Sequence, residues 1–261
     1  MTSKPGSALN LITLANFPLI QKGDNLAETL HTCLTDNEIE LQDGDVLVIA
    51  QKVVSKAEGR KVSLQSVTVS PEAKELAEKT DKDPRVVELI LQESAKVLRH
   101  RPGLIIVEHK LGFVCANAGI DRSNVKQDSV SDDGSVLLLP QDPDRSAREI
   151  RLALEKVSDK QIGVLIIDSH GRAWRNGTVG ISIGYSGLPG IVDLRGEPDL
   201  FGYELKVTQI AVADELAAAA SLMMGQADEG LPVVHVRGFP YSLREGSFQE
   251  LPRDIESDLF R

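Results

Sequence analysis

Residues 163–190 read GVLIIDSHGRAWRNGTVGISIGYSGLPG, and the fold turns on how this stretch is read. Residues 164–167 form a short continuous apolar run, the pattern of a buried strand. The run ends on Asp168, a carboxylate delivered at the edge of the core, and Ser169, His170 and Gly171 read as a turn. Arg172 and Arg175 flank Trp174. A second strand then alternates over residues 179–185. Ile181, Ile183 and Tyr185 fall on one side, and Gly180, Ser182, Gly184 and Ser186 on the other. A strand face made of Gly and Ser gives up packing and backbone stability. It is sensible where something lies close against it: a ligand, a second layer of the fold, or another subunit.

Working outward, residues 46–50 are a second buried apolar run after the turn Asp43-Gly44-Asp45, and residues 9–14 and 232–236 read as further strands. Residues 104–107 and 113–116 pair as a hairpin across Lys110-Leu111-Gly112, and 136–139 form another strand. Helix starts are marked by Asp24, Ser70-Pro71, Asp83-Pro84 and Asp142-Pro143. The helix after Asp83 is expected to carry Val86, Ile90 and Val97 on its apolar face. Residues 51–60 read as a polar connection, residues 208–224 as a long Ala-rich helix closed by Gly225, and a terminal helix is expected from Gln249. Helices and hairpin-like strands mix without steady βαβ alternation. The expected class is therefore α+β with largely antiparallel sheets, neither a Rossmann nor a P-loop fold, over a single unit, residues 1–261.

The chain has 261 residues and a formal net charge of −10, which argues against a broad nucleic-acid footprint. Its two cysteines, Cys33 and Cys115, have no metal-ligand or redox spacing and read as buried thiols. No signal peptide or run of membrane-spanning length is evident, so a cytoplasmic protein without membrane association is expected.

The chemistry-bearing residues are oxygen donors and cations. Asp121 and Asp168 stand at strand ends beside small polar residues, and Gln226-Ala227-Asp228-Glu229 forms an acidic loop. Such oxygens suit Mg²⁺ or Mn²⁺ and the nucleotide phosphates those ions accompany. Lys52, Lys56 and Arg172 are candidates to neutralise the phosphates. GxxxxGK[ST], GxSxG, HExxH and GxGxxG are all absent.

Seven blocks in order carry a resemblance: FPLI (17–20), GDVLVIAQKVVSKAEGR (44–60), NAGIDRSN (117–124), LLPQDPDRSA (138–147), the 168–187 block, VADELAAAASLMMGQADEGLP (212–232) and VRGF (236–239). The chain resembles the coenzyme F420:L-glutamate ligases, or F420-0:gamma-glutamyl ligases. The resemblance implies a GDP-forming ligase, which makes an acyl phosphate on F420-0 with GTP and displaces it with L-glutamate. Further γ-linked glutamates can follow. It implies two divalent ions, Mg²⁺ or Mn²⁺, with K⁺ as a further ion, and an intertwined homodimer. By similarity Asp121 and Asp168 are catalytic metal ligands, joined by Ser169 and Gln226. Nucleotide contacts would fall on Phe17, Pro18, Leu19 and Ile20, on Gln51, Lys52 and Lys56, and on Asn124. They continue over Met224, Gly225, Gln226, Ala227, Asp228, Glu229, Gly230 and Leu231. His170 replaces the family's usual Asn and is assigned no role. Some relatives carry a fused nitroreductase-like domain, for which this chain is expected to be too short. Two alternatives stand beside this reading: a same-fold ligase for another acid or amine, and a GTP-binding regulator without ligase activity.

Overall fold

The computed structural model describes residues 8–123 and 134–259. In chain order, β1 (Asn10–Thr13) leads to α1 (Leu26–Asp36), β2 (Val46–Ala50) and α2 (Gln51–Ala57). Next come β3 (Lys61–Ser63), α3 (Pro71–Thr80), α4 (Pro84–Gln92), β4 (Ser94–Arg101), β5 (Leu104–His109) and β6 (Val114–Ala116). β7 (Ser135–Leu137) and α5 (Pro143–Ser158) precede two long strands, β8 (Gly163–Arg172) and β9 (Arg175–Ser186). β10 (Val192–Asp193), β11 (Gln209–Ile210), α6 (Val212–Met224) and β12 (Val233–Arg237) complete the series.

The central sheet has the order β1-β12-β2-β8-β9, with smaller sheets β4-β5-β6, β3-β7 and β10-β11. Among the described strands only β2 and β8 pair in parallel. The fold is mixed α+β with largely antiparallel sheets, as the sequence suggests. β2 is apolar throughout because the sheet is covered on both sides. Leu47 and Ile49 pack with the α1 and α5 side chains Leu30, Leu34, Ile150 and Leu154. Val46 and Val48 pack with Ala213, Leu216, Ala217 and Ala220 of α6. No helix among the described residues is long and apolar enough to cross a membrane.

The decisive stretch differs from its sequence reading in two ways. Ser169, His170 and Gly171 are strand rather than turn. They pair with Gly180, Val179 and Thr178, and the chain reverses at Ala173-Trp174, where Trp174 takes φ 64°. Nor do the small residues of β9 share one face. Ile166 pairs with Gly184 and Ile167 with Ser182, which leaves Ile183 as an unpaired bulge and inverts the alternation beyond it. A Cβ on Gly180 would lie 2.5 Å from the Ala217 carbonyl of α6, whereas one on Gly184 would lie 2.4 Å from Pro143 Cβ of α5. The space beside β9 is thus filled by the protein's own helices, leaving no open Gly/Ser face for a substrate. Two first-turn carboxylates fix the bulge: Ser182 N–H donates to Asp214 of α6 at 2.9 Å and Tyr185 N–H to Asp144 of α5 at 2.8 Å.

Other boundaries shift for local reasons. Asn25 rather than Asp24 caps α1, because Asp24 instead accepts from Gln21 N–H. α4 ends at Gln92, and Val97 lies on β4, paired with Val107. Residues 51–57 are helical rather than a connection. Beyond Gln249 only short 3-10 turns form.

Candidate active site

β2 ends at Ala50, opposite Ile167 of its parallel neighbour β8, and a cavity of about 770 Å³ opens where β8 runs on past it. That volume suits a ligand of nucleotide size. Ala50 and Ile167 form its floor, followed by Asp168 and Ser169 of β8 and Thr178 of β9. α2 contributes Gln51, Lys52, Val53 and Lys56, and the segment before α1 contributes Phe17, Pro18, Leu19 and Ile20. Asp121 and Ser123 close another side. The last wall is Ser221 and Met224 of α6 with Gly225, Gln226, Ala227, Asp228, Glu229, Gly230, Leu231 and Pro232. The site residues expected from the sequence line this cavity with two exceptions, Arg172 and Asn124, the latter lying outside the described residues. Arg172 does not line it; its guanidinium is exposed and donates to Gly177 O at 3.3 Å. Thr178 and Ser221 were missed. The helical spacing from Ala217 to Ser221 to Met224 is the signal that places Ser221 on the inner face.

The two aspartates are held differently. Asp121 is pinned by backbone bonds with Leu137 in both directions, and its Oδ1 accepts from Ser123 N–H at 2.6 Å. Its Oδ2 lies 2.6 Å from Lys52 Nζ. Burial alone raises its pKa, but the Lys52 hydrogen bond and charge with the Ser123 bonds outweigh it, and the carboxyl sits below its ordinary value. Asp168 Oδ2 lies 2.8 Å from His170 Nε2, a ring 7% exposed. Burial lowers the Lys56 pKa, Lys52 lowers it further, and Asp121 opposes the shift. Gln51 accepts from Ser55 Oγ at 2.8 Å, while its Nε2 is buried with no protein partner among the described residues.

The loop after α6 curls its amides around an anion. Glu229 accepts from Ala227 N–H at 2.8 Å, and backbone bonds from Glu229, Ala227 and Gln226 hold its carboxyl below the usual range. Gly225, at φ 73°, makes room for this: a Cβ there would stand 2.1 Å from Glu229 Cδ. Such a concave run of N–H groups is a ready seat for phosphate oxygens. Gln226 donates through its side-chain amide to Ser221 Oγ at 3.1 Å.

Among the described residues no group of three His, Cys, Asp or Glu side chains forms a metal cage. The four expected ligands at the cavity, Asp121, Asp168, Ser169 and Gln226, offer two carboxylates, a hydroxyl and an amide carbonyl, all oxygens. That set fits a hard divalent cation that completes its shell with phosphate oxygens and water, as Mg²⁺ does.

The F420-0:Gamma-glutamyl ligase family matches residues 15–238. The chain belongs to this family. Coenzyme F420:L-glutamate ligase of Methanothermobacter thermautotrophicus is 48% identical over 255 residues, 97% of this chain and 99% of that protein. The proteins of the same name from Methanopyrus kandleri and Archaeoglobus fulgidus are 49% identical over 246 residues and 43% over 253. These alignments cover 93% of both chains in the first case, and 97% of this chain and 96% of the relative in the second. Family membership confirms the resemblance carried by the seven blocks.

Proposed function

We propose that this ligase uses GTP to join L-glutamate to the terminal carboxylate of F420-0, in coenzyme F420 biosynthesis. The observation that carries the reading is convergence. Residues from six separate parts of the chain bring two carboxylates, two lysines and a phosphate-seating loop to one cavity. The γ-phosphoryl group passes to a carboxylate oxygen of F420-0, releasing GDP. The glutamate nitrogen then bonds the acyl carbon as phosphate leaves. Repetition on the new γ-carboxylate extends the tail.

Asp121 and Asp168, with Ser169 and Gln226, are the residues to hold Mg²⁺ or Mn²⁺. Bound there, such an ion neutralises phosphate charge and polarises the transferring group. Lys52 and Lys56 supply positive charge beside the phosphates. The N–H groups of Gln226, Ala227 and Glu229 donate to phosphate oxygens in place of the Glu229 carboxylate. Phe17, Pro18, Leu19 and Ile20 offer an apolar wall to the base. The route needs no protein nucleophile, and Cys115 is unsuited to be one: burial, aided by Asp168, pushes its thiol up to about 12. A homodimer is part of the same reading, supported by the exposed apolar residues Leu200, Phe201 and Val207 between β10 and β11. Sedimentation of the purified chain tests it, and a monomer at micromolar concentration refutes it.

The deciding experiment is mass spectrometry of F420-0 incubated with the chain, GTP, Mn²⁺ and glutamate. A product heavier by one or more glutamyl units is expected. Phosphate release only when acid and amine are both present separates a ligase from a nucleotide-binding regulator.

A further inference from the structure

His170 does not line the cavity, yet among the described residues it is the one side chain tied to the Asp168 carboxylate. Its ring is buried on β8, two residues beyond Asp168 and across from Val179. Phe113 packs against it with centroids 5.3 Å apart, and Phe113 is itself wedged between His109 and Phe248. Burial and this contact restrict the motion of the imidazole. A carboxylate only accepts, so the hydrogen in the 2.8 Å contact sits on Nε2 and is donated to Asp168 Oδ2. Nδ1 is left buried with no partner among the described residues. A buried nitrogen without a partner costs stability, which an apolar ring of similar size would avoid. The position is thus poorly explained by packing alone.

We propose that His170 is a positioning residue: by binding Oδ2 from two residues further along the same face of β8, it fixes the Asp168 carboxylate so that Oδ1 faces the cavity. The role rests on the reading of Asp168 as a ligand for a divalent ion. Hydrogen bonds to a ligating carboxylate fix its orientation and its basicity, and losing them costs metal affinity.

The test is Mn²⁺ binding to the whole chain, read by electron paramagnetic resonance without substrates. His170→Phe keeps an aromatic ring against Phe113 and removes the donor. It should weaken Mn²⁺ binding by about tenfold to a hundredfold, while the melting temperature holds or rises. His170→Asn, which retains a neutral N–H donor, should recover part of the loss. A His170→Phe protein that binds Mn²⁺ like wild type, while Asp168→Asn does not, overturns the positioning role alone. A wild-type chain that binds no Mn²⁺ overturns the metal reading and this proposal with it. Should His170→Phe fail to fold, NMR of the wild type decides: the Nε2–H signal should move when Mg²⁺ is added, and a signal that stays put overturns the proposal.

Discussion

Asp121 and Asp168 face one cavity from unlike supports. Asp168 rides a ten-residue strand of the central sheet and is backed by a buried imidazole. Asp121 sits at an isolated bridge to β7, and its partner is a lysine whose side chain is 29% exposed. A lysine on a cavity wall can exchange a carboxylate for an incoming phosphate, because its flexible stem lets the charge move. A buried imidazole on a short side chain has no such reach. The difference separates a fixed side of the site, built into the sheet, from an adjustable side, which under the proposed reaction is the one free to meet the nucleotide.

The sharpest test of this contrast removes each carboxylate. Asp168→Asn and Asp121→Asn should each lower turnover by about a hundredfold or more, and the double variant should lose little beyond either single one. Multiplicative losses in the glutamylation assay would mean that the two serve separate sites. The sheet side should also resist change in its backbone. Gly184→Val should cost about 1–3 kcal/mol or more in urea unfolding, because the new atoms meet α5 backbone. Gly171, on the paired strand with nothing within 4 Å of a Cβ, should accept Ala almost without effect.

On the adjustable side, Lys52→Met should raise the KM for GTP by roughly tenfold, the scale of one charged hydrogen bond, with the fold intact. The smallest effect is a pH dependence. In the wild type the Asp121 carboxyl lies below its unfolded value, so its contribution to stability is full above about pH 3.9 and is lost as pH falls through the folded value. In Lys52→Met the burial that raises the pKa loses its main opposition, and the folded value moves upward. The stability gap between the two proteins should therefore narrow on acidification, read from urea midpoints at neutral pH and near about pH 3. A gap that widens would show that Lys52 is not what holds Asp121 ionised.

Much of this was legible in the chain. The run 46–50 coincides with β2, and Ser70, Asp83 and Asp142 cap their helices as their Pro neighbours suggest. The site was legible as ordered blocks, since spacing alone does not bring Lys52, Asp121, Asp168 and Gln226 together. What escaped were features set by long-range pairing. Val97 follows Ile90 at a helical interval and reads as helix, but β5 recruits it into a strand. Ser169-His170-Gly171 has turn composition, but β9 pairs with it. His170 escaped as a functional residue because its meaning lies in one contact and in the aromatic side chains around it, which the sequence scatters from Phe113 to Phe248.

The bulge at Ile183 has a consequence for where the molecule can be edited. Beyond it, the side chains of β9 have changed sides, and α5 and α6 each grip one flank of the strand through Asp144 and Asp214. Deleting a paired residue between Gly180 and Ser186 would shift one side of the strand by a register and present its helix with the wrong partner, whereas Ile183, which the ladder leaves unpaired, can be lost without a change of register. At the hairpin tip, residues 173–177 are exposed and lie outside both grips. A peptide grafted at Ala173-Trp174 should leave the strand's frame unchanged, which makes the tip the natural place for a label or an affinity handle.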